Sequence, residues 1–248
     1  MNHNHRHVER LIFIEASANA DMTPEQSSCL LRPLKGAVIL NGADIHRQST
    51  AEVARELAML PQMPDAPEGI SVKHLVSLGR SPYQNGLQQW SPEDERMVNL
   101  ALVQTGTQQL AERPVDALSG GQRQRVWIAM TLAQDNEVVL LDEPTTFLDL
   151  AHQIEVLDLL RELNRQHGKT IIMVLHDLNL ACRYADHMVA VHDRTAFAQG
   201  APAEILDEAL VNTVFNLDCR IIPDPFFHTP LCIPFGREKP PEDAPSTC

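Results

Sequence analysis

Long apolar runs are missing. The runs that exist are short, such as Val138 to Leu141 and Ile171 to Leu175, whereas a membrane span needs about 20 such residues. Any membrane role must therefore come through a partner. No stretch combines a basic start, an apolar core and a small-residue cleavage site, so no secretory leader is expected. Positive charge is also scarce. The 20 Lys and Arg stand against 33 Asp and Glu, a net charge of -13. That balance argues against a sequence-independent nucleic-acid binder. It leaves room for a small phosphorylated ligand, which local geometry can hold. Cys29, Cys182, Cys219, Cys232 and Cys248 are odd in number and form no CxxC pair. They read as free thiols of a reducing compartment.

What is present is a 248-residue chain, 44% apolar and 21% charged. It can bury a substantial core as one large domain, or as one domain with an inserted subdomain. His3, His5 and His7 read as a solvated terminus rather than a metal tract. Leu11 to Ile14 predicts a short buried strand, and Ala37 to Leu40 a second that runs into the Asn41-Gly42 turn. Helical signals cover Glu52 to Leu60. Three prolines between Pro61 and Pro67 then interrupt the pattern. Helix-like segments follow at Val72 to Leu78 and Pro92 to Thr105, and another starts at Ser119. Val138 to Leu141 and Thr170 to Leu175 are continuous apolar runs of the kind that parallel sheets bury on both faces. Between them, Val156, Leu157, Leu160 and Leu163 lie at helical spacing, and Gly168 sits where a left-handed helix stop belongs. Strand, helix, strand makes a βαβ unit. The order implies an α/β core, a helical insertion, the core resumed, and a Pro-rich tail from about residue 216. There is no internal repeat.

Three constellations carry chemistry. In Leu118-Ser119-Gly120-Gly121-Gln122, Ser119 can cap a helix, with Gln122 at capping-box spacing. Two glycines in the first turn cost helix propensity, and they let backbone N–H groups approach an anion. A well-capped helix with no ligand is the plainer alternative. In Val138-Val139-Leu140-Leu141-Asp142-Glu143-Pro144 a buried strand delivers two carboxylates to its carboxyl end, the edge where open α/β sheets bind ligands. Asp142 suits Mg²⁺, and Glu143 suits polarising a water. An ordinary acidic loop is the alternative. His176 ends the next apolar run and reaches a strand's carboxyl end in the same way. A lone histidine is usually structural, but two strands delivering polar groups to one edge favour function.

Taken together, LSGGQ, the Asp142-Glu143-Pro144 triplet, Thr146-Phe147-Leu148-Asp149 and Leu175-His176-Asp177 resemble the ATP-binding-cassette (ABC) transporter ATPases over about Leu31 to Arg237. The resemblance implies a P-loop-NTPase-like core sheet with an inserted helical subdomain. It implies boundaries at 1–61 and 135–215 for the core, 62–134 for the helical signature subdomain and 216–248 for a tail. Ser119, Gly120, Gly121 and Gln122 would close on the γ-phosphate of ATP held by the opposite subunit. Asp142 would hold Mg²⁺, Glu143 would be the general base, and His176 would sense the γ-phosphate. Thr146 to Asp149 would cross the dimer interface. Gln62, after Leu60-Pro61, would reach towards Mg²⁺ and the transmembrane partner. Leu75 to Tyr83, Val126 to Met130, Thr145 to Leu150, Asp218-Cys219-Arg220 and Pro234 to Arg237 resemble the branch serving iron-siderophore, haem and vitamin B12 importers, with ferric siderophores favoured. The implied function is ATP hydrolysis coupled to import. Its partners are transmembrane permease subunits, a second copy of the ATPase subunit and, indirectly, a periplasmic or surface binding protein, with no nucleic acid. The implied place is the cytoplasmic face of the inner membrane. Soluble ABC proteins of DNA repair fit less well, because they need long coiled-coil insertions.

One element of the family is missing. No GxxxxGK[ST] phosphate loop occurs, no glycine precedes Gly36 and no lysine precedes Lys35. The slot after Leu11 to Ile14 holds Glu15-Ala16-Ser17-Ala18-Asn19-Ala20-Asp21-Met22. Without glycine, N–H groups do not readily wrap phosphates. No cation meets the β- and γ-phosphates, and Glu15 and Asp21 would repel them. Two origins remain open, an altered start of the coding region and a divergent, non-hydrolysing relative that serves only in dimerisation or docking.

Overall fold

The computed structural model describes residues 10–15, 37–62, 64–84, 90–193 and 195–236. The phosphate-loop slot after Glu15, the His-rich start, Cys29, Leu31, Arg237 and Cys248 lie outside them. The strands in chain order are β1 (Arg10–Glu15), β2 (Ile39–Leu40), β3 (Ala43–Asp44), β4 (Leu57–Leu60), β5 (Val138–Leu141), β6 (Thr170–Leu175), β7 (His187–His192), β8 (Thr195–Gly200), β9 (Cys219–Pro223) and β10 (Pro230–Pro234). The α-helices are α1 (Thr50–Glu56), α2 (Val72–Ser77), α3 (Pro92–Gln104), α4 (Gly120–Ala133), α5 (Leu150–His167), α6 (Leu178–Tyr184), α7 (Pro202–Ile205) and α8 (Glu208–Phe215). The architecture is α/β, and the chain divides into two compact units near Met173. No helix among the described residues is long and apolar enough to cross a membrane.

In the first unit β4, β5 and β6 run parallel, in that order, with Leu60 opposite Leu141 and Leu141 opposite Met173. The helical signal over Leu57 to Leu60 is overturned. Leu, Ala and Met are good helix formers, yet pairing with β5 draws these residues into the sheet and buries Ala58 and Leu60. Helix α1 therefore stops at Glu56. The run at Ala37 to Leu40 shrinks to the two residues of β2, which form a hairpin with β3 across Asn41 and Gly42. Both turn residues have positive φ, 49° and 83°, the geometry such hairpins favour.

Between Pro61 and Ala133 the described residues form helices and short 3₁₀ turns, with one isolated bridge between Ser71 and Pro114. Helices α2, α3 and α4 pack on one another through Val72, Leu75, Val76, Met97, Val98, Ile128 and Ala129. A buried ion pair ties them together. Arg80 Nε donates to Asp94 Oδ1 at 2.8 Å, and Arg80 Nη1 donates to the Ala133 carbonyl at 2.8 Å. The guanidinium lies over the Tyr83 ring at 3.9 Å. Helix α5 buries Val156, Leu157, Leu160 and Leu163. It ends at Gly168 with φ 65°, as the left-handed stop requires.

In the second unit β1 pairs parallel with β7, and β7 pairs antiparallel with β8. The described part of the Pro-rich tail carries an antiparallel hairpin of β9 and β10, with Pro223, Pro230 and Pro234 at strand ends. Asn179 of α6 clasps this hairpin. Its Nδ2 donates to the Cys232 carbonyl at 3.1 Å, and its Oδ1 accepts from the Cys232 N–H at 2.7 Å. Cys182, Cys219 and Cys232 are free and buried. Burial pushes the Cys182 and Cys219 thiols up to about 12.

Candidate functional site

The parallel register of β4 and β5 positions the first group of residues. Leu60 and Leu141 are partners, and the ladder extends one step further, with the Asp142 N–H donating to the Leu60 carbonyl at 2.9 Å. Gln62 and Glu143 each follow two residues after those partners, so both leave the sheet at the same edge. Gln62 Nε2 donates to Glu143 Oε2 at 2.6 Å. Thr146 Oγ1 donates to the same oxygen at 2.8 Å. The Thr146 N–H closes a turn on the Glu143 carbonyl at 3.2 Å. Glu143 has φ 47°, a left-handed conformation that non-glycine residues seldom adopt and that collects at functional sites. Pro144 is buried behind it. One oxygen of the carboxylate is thus held by Gln62, which follows β4, and by Thr146 of its own loop.

The second group sits where α4 meets α5. Ser119 caps α4: its Oγ accepts from the Gln122 N–H at 3.4 Å, and Gln122 Oε1 accepts from the Ser119 N–H at 3.2 Å. This is the capping box expected from the spacing. It leaves the Gly120 and Gly121 amides in the first turn of a 14-residue helix, at the positive end of its dipole. Asp149 caps α5 and accepts from the His152 N–H at 3.0 Å and from His152 Nδ1 at 2.8 Å. The backbone N–H of His152, then its imidazole, hold the Asp149 carboxyl below its usual range. Phe147, with φ 64°, is exposed on the loop leading into α5, and Leu150 is exposed at the first position of that helix.

His176 follows β6 and belongs to the second unit, where it is exposed; the next residue, Asp177, caps α6 by accepting from the Leu180 N–H at 2.9 Å. Of the residues singled out from the sequence, Gln62 meets Glu143, and Ser119 meets Gln122. Asp142 sits at the end of β5. Gly121 and Asp149 meet through a residue that sequence reasoning passed over, His152. Its signal was available, since it stands three residues after Asp149, the spacing at which a capping side chain meets its helix. The donors around Asp142, Glu143 and Gln62 are oxygen-rich, which suits a hard cation. Among the described residues no group of three or more His, Cys, Asp or Glu could hold a metal alone.

The ABC transporter family model matches residues 28–146. The achromobactin transport ATP-binding protein CbrD of Dickeya dadantii is 90% identical over 87% of this chain and 80% of its own length. The petrobactin import ATP-binding protein FpuD of Bacillus anthracis is 59% identical over 93% of this chain and 85% of its own. Among solved structures, a metal-chelate type ABC transporter in an inward-facing conformation superposes with a TM-score of 0.78 at 25% identity, covering 92% of this chain and 88% of that one. With the capped glycine turn of α4 and the carboxylate edge of β5 in place, the chain belongs to the ABC transporter family, as an ATP-binding subunit of its siderophore and iron-chelate importer branch.

Proposed function

We propose that the chain is the ATP-binding subunit of an importer for ferric siderophores or a related metal chelate. The observation that carries this reading is the convergence of Gln62 and Thr146 on one oxygen of Glu143. Two donors on one oxygen orient a carboxylate as a general base requires, and phosphoryl transfer rests mainly on such positioning. In this reading Glu143 takes the proton of the attacking water, and His176 senses the γ-phosphate. Ser119, Gly120, Gly121 and Gln122 offer their capped turn to ATP seated in a second copy of the chain. Asp149 lies on the dimer face. Asp142 and Gln62 would hold Mg²⁺, with phosphate and water as its remaining ligands, as is usual for a cation that seldom relies on an all-protein cage. The boundaries near 62 and 134 separate the signature-bearing helices from the core. The subunit sits on the cytoplasmic face of the membrane, docked to permease subunits through the surface near Gln62 to Tyr83.

The residues do not supply a complete nucleotide site. The cradle and its lysine are missing from the sequence, so the base role of Glu143 requires that another segment supply the phosphate contacts. That absence favours the second reading, a non-hydrolysing module that retains dimerisation or docking. Titration calorimetry with Mg-ATP on the purified chain separates the two, read beside ATP turnover of the assembled importer. Weak binding and negligible turnover are expected. Turnover by the unmodified chain that disappears in Glu143→Gln would overturn the second reading and show that another segment supplies the phosphate contacts.

A further inference from the structure

Gly121 faces the imidazole of His152. A Cβ built on Gly121 would lie 2.2 Å from His152 Cδ2, 2.8 Å from Cγ and 3.0 Å from Nε2. A Cβ on Gly120 would meet only Leu148 Cδ2, at an ordinary 3.6 Å. The two signature glycines thus answer different demands within the chain. Position 120 has room for a methyl group, and position 121 has none. Swinging the ring aside would break its hydrogen bond to Asp149 Oδ1, which also accepts from the His152 backbone N–H. One turn further along, Arg125 and Glu155 approach to 3.6 Å across the same pair of helices.

We infer that His152 is a positioning residue that locks the first turn of α4 to the Thr146–Asp149 loop, and that its ring is what demands glycine at position 121. The inference rests on the functional reading above in one respect. The first turn of α4 is assigned there to the opposite subunit's nucleotide and Asp149 to the dimer face, so the lock would make them move as one body. The chemistry is plain: the Asp149 carboxylate holds the imidazole, and the Cδ2 side of the ring then sets the distance at which the Gly121 backbone can rest.

The test is a set of double-mutant cycles. His152→Asn is the conservative variant. Its side-chain N–H reaches Asp149 as Nδ1 does, and its other terminal atom stands where Cδ2 stood. His152→Ala removes both. Gly121→Ala should lower the Tm of the wild-type chain and of His152→Asn by roughly 3–8 °C, the range expected for overpacking in a chain this size. In His152→Ala the same change should cost nothing, or raise Tm slightly because alanine favours helix over glycine. An equal cost in all three backgrounds overturns the inference. The positioning role is read by ATP turnover of the assembled importer in which a GxxxxGKS loop replaces Glu15 to Met22, since the unmodified chain is expected to turn ATP over negligibly. His152→Ala should lose between about ten- and a hundredfold through misplacement, and His152→Asn should restore it. Failure of asparagine to restore turnover removes the positioning role. If the loop-grafted assembly shows no turnover, the ATPase reading is what has failed. The melting cycles still decide whether His152 dictates Gly121.

Discussion

Two segments of this chain follow an apolar strand into a loop, and they have kept different things. After β5, Asp142 to Asp149 holds a carboxylate between two donors and caps the next helix. After β1, the sequence Glu15 to Met22 offers neither glycine nor lysine. Yet β1 itself is in place, paired parallel with β7 from Leu11 to Glu15. Strand placement depends on short apolar runs that find partners, and phosphate binding depends on glycine and lysine in the loop beyond. The two kinds of information reside in different residues, so one can be absent without the other.

The sharpest way to break this comparison is to give the second segment what the first retains. Replacing Glu15 to Met22 with a GxxxxGKS loop should raise ATP affinity by more than about a hundredfold. Each charge-assisted contact contributes about 1.5–3 kcal/mol, and about 1.4 kcal/mol is tenfold. Calorimetry measures it directly. In that background Glu143→Gln should hold ATP without turning it over. A grafted chain that still binds ATP no better than the original would mean that the rest of the fold no longer supports the loop.

The next largest effect is expected in the helical segment, whose integrity rests on buried charge and not on a ligand. Arg80 and Asp94 are both nearly inaccessible. Arg80→Ala strands the carboxylate and the Ala133 carbonyl, and should cost about 3–5 kcal/mol in a denaturant titration. The double change Arg80→Met with Asp94→Leu should cost much less, because no charge is left unpaired. The pair also sets a pH response. Burial alone would raise the Asp94 carboxyl, but the hydrogen bonds from Arg80 and Ser91 outweigh it and hold the group below its usual range. A depressed folded-state value contributes stability above the unfolded carboxylate range, near pH 4, and that stability is lost as pH falls through the folded value. Arg80→Ala should remove that acid-side slope. A slope unchanged in the variant would place the effect on another carboxylate.

What could be read from the sequence was local. The Ser119–Gln122 box, the left-handed stop at Gly168 and the Asn41-Gly42 turn each depend on residues within a few positions of one another. The family motifs were legible for the same reason. What escaped depended on distant partners. Leu57 to Leu60 has the composition of a helix and becomes a strand only because β5 is beside it. The Gln62–Glu143 hydrogen bond spans 81 positions and follows from a register that no local pattern specifies. His152 is visible as a capping neighbour of Asp149, but its contact with Gly121 needs the packing of α4 on α5. The tail reads as Pro-rich, and the clasp of Asn179 on Cys232 of its hairpin comes from 53 positions away.

The smallest expected effect sharpens the comparison from the opposite side. If glycine in the segment after β1 would serve a ligand, glycine at the end of α5 serves conformation alone. Gly168 has φ 65°, and a Cβ there would meet no atom within 4 Å. Space is therefore not the constraint, and only the backbone angle is. Gly168→Ala should cost about 1 kcal/mol, the difference between glycine and an L-residue held in the left-handed region. For a chain of this size that is a fall in Tm of about 2–4 °C. Asn in the same place should cost less than Ala, since asparagine tolerates this conformation. Nucleotide affinity of the grafted chain should not change in either variant. The graft would then move binding with little effect on stability, and Gly168→Ala would move stability with no effect on binding. A Gly168→Ala variant that weakens nucleotide binding would mean that the end of α5 communicates with the phosphate site, and the separation between fold and ligand would fail at that point.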